Sequence, residues 1–143
     1  MSPRKVWMYT PNRGGRSIPK NEQQKISTRI RYYANKHYSR LCDHLGIKYR
    51  GPFCYIDVFN KPVIPKGFSS REYGCSKKNY IERLKKVPMH LCRLRYFGDI
   101  KRMSLAIYFY GDEKYLLRPL ENGEYQGTPE KALEIAGEYI IKP

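Results

Sequence analysis

A chain of 143 residues of which 41% are hydrophobic is long enough to bury a core unaided and too apolar to stay disordered. Its net charge of +15 at pH 7 is extreme for that length and works against a compact monomer by self-repulsion, which implies a polyanionic partner. Nucleic acid ranks first as that partner, ahead of an anionic protein or membrane surface.

Residues 1–20 carry Pro3, Pro11, Gly14, Gly15 and Pro19 among Arg4, Lys5, Arg13, Arg16 and Lys20. Without hydrophobic periodicity they read as a basic N-terminal arm, set off from a single α+β domain over 21–143. Such an arm can order on phosphate, and a frayed terminus is the plainer alternative. Val6, Trp7, Met8 and Tyr9 form its apolar stretch and could pin it to the body by burying Trp7.

The spacing of Ile26, Ile30, Tyr33, His37, Leu41 and Leu45 predicts one long helix over 21–46. Asn21 and Gln24 suit its start and Gly46 its end. At ~100° per residue, Lys25, Arg29, Lys36 and Arg40 gather within roughly 60° of one another beside the apolar face. Only Glu22 and Asp43 lie on this segment, near its ends, so the stripe reads as a candidate phosphate-binding surface rather than as internally paired charge. The plainer alternative is an ordinary solvated face.

Residues 47–52 then lead into a strand over 53–59, apolar on both faces except at Asp57. A neighbouring Arg or Lys is the expected partner for that carboxylate. Pro62, Pro65, Gly67 and Gly74 mark a loop over 60–77, followed by a short basic helix over 78–86 that Val87-Pro88 stops. Three strands follow as a meander, over 90–97, 103–110 and 114–118. In the first, Cys92, Leu94 and Tyr96 alternate with Arg93 and Arg95, which places the two arginines on the outer face. Thr128-Pro129-Glu130 opens a closing helix: a side-chain acceptor, a proline where no N–H is needed, and a carboxylate at the positive end of the dipole. Leu133, Ala136 and Ile140 share its inner side. The expected fold is α+β, an N-terminal helix and a C-terminal helix with an antiparallel sheet of four or five strands.

The opening Pro3-Arg4-Lys5-Val6-Trp7-Met8-Tyr9-Thr10-Pro11 resembles an uncharacterised family of small bacterial proteins that begin with a Pro-Arg-Lys-Val-Trp motif. The likeness returns at Tyr55-Ile56-Asp57 and at Arg93-Leu94-Arg95-Tyr96-Phe97-Gly98, and residues 60–88 do not share it. The resemblance implies a bacterial protein whose N-terminal arm is more than a tail. It brings no activity and no catalytic residue with it.

No catalytic signature stands out in the residues themselves. Cys42, Cys54, Cys75 and Cys92 lie far apart without a CxxC, no signal-peptide apolar core opens the chain, and no apolar run approaches the ~20 residues of a membrane span. A cytoplasmic protein with free thiols is the expectation. Cys42-x-His44 and His90-x-Cys92 raise a zinc site, and strand alternation would put His90 and Cys92 on one face. Buried, metal-free cysteines are the preferred reading, with no cofactor. The carboxylates are too scattered for a metal-dependent nuclease. Basic and aromatic residues interleave repeatedly, as in Arg29-Ile30-Arg31-Tyr32-Tyr33 and Arg93-Leu94-Arg95-Tyr96-Phe97, and tyrosine occurs fourteen times. Cations can hold phosphates and rings can stack on unpaired bases. The sequence therefore points to a basic, non-enzymatic nucleic-acid-binding protein, RNA or a ribonucleoprotein ahead of DNA. Its candidate contacts are Arg4, Lys5, Arg13, Arg16, Lys25, Arg29, Lys36, Arg40, Arg93 and Arg95. A small metal-independent ribonuclease is the first alternative, since it needs only His or Tyr with Lys or Arg in a cleft. A subunit docked on an anionic protein or membrane surface is the second.

Overall fold

The computed structural model describes residues 14–62 and 64–140. Its elements run α1 (Lys20–His37), β1 (His44–Arg50), β2 (Phe53–Phe59), α2 (Ser70–Tyr73), α3 (Lys77–Lys86), β3 (Met89–Arg95), β4 (Ser104–Phe109), β5 (Lys114–Arg118) and α4 (Pro129–Ala136). A 3-10 turn over Gly137–Tyr139 follows. The five strands form one antiparallel sheet in the order β1-β2-β3-β4-β5, so each strand pairs with its sequence neighbour. Among the described residues no helix is long and apolar enough to cross a membrane.

Helices α1 and α4 pack together, α1 against β1 and α4 against β3 and β4. The core lies between them and the sheet. Helix α1 contributes Ile26 and Ile30, and the facing strand positions Leu45, Cys54, Ile56, Val58, Cys92, Leu94, Leu105 and Ile107 are buried. Helix α4 adds Ala132, Leu133 and Ala136, with Ile140 just beyond it. Its start is the one read from the sequence: the Thr128 hydroxyl accepts from the Lys131 N–H at 3.3 Å, with Pro129 in the first turn.

Helix α1 ends at His37, well short of Gly46. Leu41 and Leu45 keep the helical spacing, but they reach the core by another route. The Tyr38 carbonyl accepts from the N–H groups of Leu41 and Cys42, closing a turn, and the Asp43 N–H donates to Phe59 O at 2.8 Å. That bond begins the β1–β2 ladder, which returns at a two-residue turn where Gly51 takes a φ of +56°. Ladder pairing and burial of Leu45 on the sheet override the local helical pattern. The Tyr38 hydroxyl also donates to Leu133 O, tying the end of α1 to α4.

Residues near the end of the basic arm belong to the body. The Arg16 N–H donates to Tyr96 O at 2.9 Å, the Ile18 N–H to Gly51 O at 3.1 Å, and Ile18 is buried. Farther along, the predicted loop over 60–77 contains the single turn α2, and Phe68, Tyr73 and Tyr80 form a small ring cluster that joins it to α3.

Arg29 ties α1 to the start of α4. Its Nε and Nη2 donate to the two carboxylate oxygens of Glu130 at 2.8 and 2.6 Å. Burial pushes the Glu130 carboxyl up, but hydrogen bonds from the Arg29 side chain and from its own helix-terminal N–H hold it below the usual glutamate range. A carboxyl lowered in the folded state contributes stability above its ordinary pKa of about 4.3, lost as pH falls through the folded value. Arg29→Gln should therefore cost about 1 kcal/mol at neutral pH, the upper range for a partly exposed pair with good geometry. Denaturant titration should show the difference from the parent shrinking toward pH 3.

Candidate nucleic-acid interface

The sheet face turned away from α1 and α4 carries the polar and aromatic alternation. From β1 it takes Lys48 and Arg50, from β2 Phe53, Tyr55 and Asp57, from β3 Arg93 and Arg95, from β4 Ser104, Ala106 and Tyr108, and from β5 Tyr115 and Leu117. The register aligns them in rows across the strands. Lys48 lies opposite Tyr55, Tyr55 opposite Arg93, Arg93 opposite Ala106 and Ala106 opposite Leu117. The next row runs from Arg50 through Phe53 and Arg95 to Ser104.

Arg93 and Arg95 do face this side, as alternation requires, but they are not offered to solvent as the sequence suggested. Their relative exposures are 6% and 2%. Aromatic rings pack on both guanidiniums. The Arg93 guanidinium sits 4.2 Å from the Phe53 ring centroid and 4.9 Å from that of Tyr115. Ala106, the small residue between β3 and β5, gives it the room to reach Tyr115. Arg95 lies 5.8 Å from Phe53 and 5.6 Å from Phe97. Burial, then the adjacent Arg93 charge, lower the Arg95 guanidinium to about 10, so it stays cationic at neutral pH. Stacking of this kind holds a weakly hydrated guanidinium in place without removing its charge.

Beside Arg93 the rings continue. The centroids of Tyr55 and Tyr115 are 5.7 Å apart, and those of Tyr108 and Tyr115 are 4.9 Å apart. Burial, then the Asp57 charge, keep the Tyr115 hydroxyl well above its ordinary pKa, hence protonated. A groove of about 500 Å³ opens over this part of the sheet, lined by Lys48, Tyr49, Arg50, Tyr55, Asp57, His90, Tyr108 and Tyr115. The hollow beside the end of α1 is smaller, about 160 Å³, and its Arg31 is occupied by Leu45 O at 3.0 Å.

His90 reaches the groove through an irregularity. The register pairs Ile56 with Cys92 but Asp57 with His90, which leaves Leu91 as an extra residue in β3. This bulge breaks strict alternation, so Leu91 and Cys92 both enter the core while His90 turns to the opposite face. There its Nδ1 lies 2.9 Å from Asp57 Oδ1. The partner of Asp57 is thus a histidine, not the Arg or Lys expected from the sequence.

The bulge also separates His90 from Cys92, which strand alternation would have put together. Cys42 is buried with its thiol 3.6 Å from Tyr38 O, and His44 is exposed and stacked on Phe59. Among the described residues no group of three or more His, Cys, Asp or Glu side chains could hold a metal ion. Burial raises the thiols of Cys42 and Cys92 and takes that of Cys54 to about 12, so these three are protonated and poor nucleophiles.

The other candidate contacts are dispersed. Arg4, Lys5 and Arg13 lie outside the described residues. Arg16 is exposed, with its side chain beside Gly98. Lys25 is 3.7 Å from Glu22, and Arg29 is committed to Glu130. Lys36 and Arg40 are exposed, but Arg40 lies past the end of α1, so the four-cation helical stripe is not formed. The charge on Arg29 is neutralised by a carboxylate 101 residues away in sequence, which a helix-local count of acids does not see. None of Lys48, Tyr55, Tyr108 and Tyr115 was named as a nucleic-acid contact from the sequence, and His90 was weighed there only as a metal ligand. Their alternation is visible in the sequence, but the strand order that brings them together is not. No family model matches the chain, and no curated protein or solved structure matches it.

Proposed function

We propose that this is a cytoplasmic nucleic-acid-binding protein that takes single-stranded RNA, in preference to DNA, on the face of its sheet opposite α1 and α4. The observation that carries this reading is the register that interleaves cations with rings on one face: Lys48 and Arg50 at one side, Arg93 and Arg95 stacked at the centre, Tyr55, Tyr108 and Tyr115 around the groove. Sheets with this pattern can stack unpaired bases on their rings and steer the backbone with their cations. The net charge of +15 supplies the long-range attraction. In this reading Arg16, Lys25, Lys36 and Arg40, with Arg4, Lys5 and Arg13 of the arm, add to the long-range positive field of the molecule. Arg29 serves the fold instead.

The test is the salt dependence of affinity for a labelled single-stranded RNA. Each phosphate contact adds roughly 0.7 to the log–log slope for single strands, so five or six contacts predict a magnitude of about four. A flat profile contradicts nucleic acid as the partner. Retention on anionic vesicles with no RNA binding would support a membrane surface in its place.

A further inference from the structure

We propose that the groove is also a metal-independent RNA-cleavage site in which His90 acts as general base. The inference rests on the RNA-binding reading and goes beyond it, because binding needs no proton transfer.

The geometry is that of a histidine held for work. A carboxylate accepts hydrogen bonds, so Asp57 Oδ1, 2.9 Å away, takes the Nδ1–H of His90. This fixes the tautomer and leaves the lone pair on Nε2. The orienting group is dry and the oriented group is wet: the Asp57 side chain is 10% exposed and the His90 side chain 49%. The His90 main-chain N–H donates to the Tyr110 hydroxyl at 2.6 Å, and the ring packs edge-on to Tyr108 with centroids 4.9 Å apart. The bulge at Leu91 is what places the ring here, and bulges re-aim side chains in this way beside active sites.

Lys48 and Arg50 line the same groove from β1, two strands from His90. The register sets Gly46 of β1 level with His90, so Lys48 lies two residues and Arg50 four residues farther along; at ~4.8 Å per strand and ~3.4 Å per residue their backbones are roughly 12 and 17 Å from that of His90, a gap that a phosphodiester held by the long side chain of Lys48, with Arg50 beyond it, can fill. The step balances without a metal or a redox partner. Nε2 of His90 takes the proton from a ribose 2′-hydroxyl, and the 2′-oxygen forms a bond to phosphorus. The bond from phosphorus to the 5′-oxygen breaks, and that oxygen takes a proton from water. The products are a 2′,3′-cyclic phosphate and a 5′-hydroxyl. Lys48 and Arg50 meet the charge that grows on the phosphate oxygens. The substrate is single-stranded RNA, because the nucleophile is the 2′-hydroxyl and the rings of the groove take unpaired bases.

The experiment uses the full chain in EDTA with a 5′-labelled single-stranded RNA and the same sequence 2′-O-methylated throughout. The expected result is that both are bound equally and only the unmodified RNA is cut, with cyclic-phosphate ends. At RNA concentrations that saturate each protein, His90→Gln should slow single-turnover cleavage roughly 100-fold or more, the scale of general-base loss. Asp57→Asn, which removes the carboxylate that sets the tautomer, should slow it at least about tenfold. If one variant fails to fold, the other and the methylation block still decide. RNA bound but uncut by the parent overturns this inference and leaves the binding reading intact. Cleavage at the parental rate by a folded His90→Gln overturns it too. Failure to bind either oligonucleotide overturns both.

Discussion

Replacing Tyr55 and Tyr108 together by Leu should weaken binding of single-stranded RNA by roughly 2 kcal/mol or more, about thirtyfold, and leave the salt slope unchanged. The magnitude follows from the ~1–3 kcal/mol that stacking contributes per base. The slope stays because no charge is removed. Leucine keeps the apolar contact of two half-buried positions, so the melting temperature should move little. Binding isotherms at several salt concentrations check both parts. Unchanged affinity would mean that these rings pack only against one another.

The complementary experiment removes charge and spares the rings. Lys48 and Arg50 are exposed at the edge strand β1, and replacing both by Gln should leave stability within about 0.5 kcal/mol of the parent. The salt slope should fall by roughly 1.4, which at 0.15 M salt corresponds to about a tenfold loss of affinity. A matched variant, Lys36→Gln with Arg40→Gln, should lose less, because these residues sit at the α1 side of the molecule, away from the groove. Equal losses in the two pairs would point to a diffuse field and not to a defined surface.

The C-terminal part of the fold was the most legible in the sequence. Thr128-Pro129-Glu130 states a helix start in chemistry that no tertiary contact needs to complete, and the alternation over β3, β4 and β5 states a meander. The N-terminal helix was half legible. Its inward Ile26 and Ile30 follow from spacing, but its ends do not: Pro19, with no side-chain capping bond, precedes the first turn in place of the Asn21 and Gln24 pair, and Leu41 and Leu45 fit a helix as well as they fit the turn and strand they occupy. What decides is the pairing of Asp43 with Phe59, a contact 16 residues away in sequence.

The candidate site was legible only as residue types. Arg93 and Arg95 were placed on the correct face, but both are buried there, Arg93 packed on the rings of Phe53 and Tyr115 and Arg95 on those of Phe53 and Phe97. The position of His90 was hidden by one residue. Leu91 looks like another apolar strand position, yet as the extra residue of a bulge it turns His90 from the side of Cys92 to the side of Asp57. Likewise the pairing of Arg29 with Glu130 joins the two ends of the chain, which no local charge pattern records.

Ultraviolet crosslinking of single-stranded RNA to the full chain, with the attached peptides identified by mass spectrometry, tests the location of the interface most directly. Rings that stack on bases crosslink to them, so the account predicts adducts on Tyr55, Tyr108 or His90, lost on competition with unlabelled RNA and reduced at high salt. Adducts confined to the exposed side of α1, with the sheet residues unmodified, would contradict it.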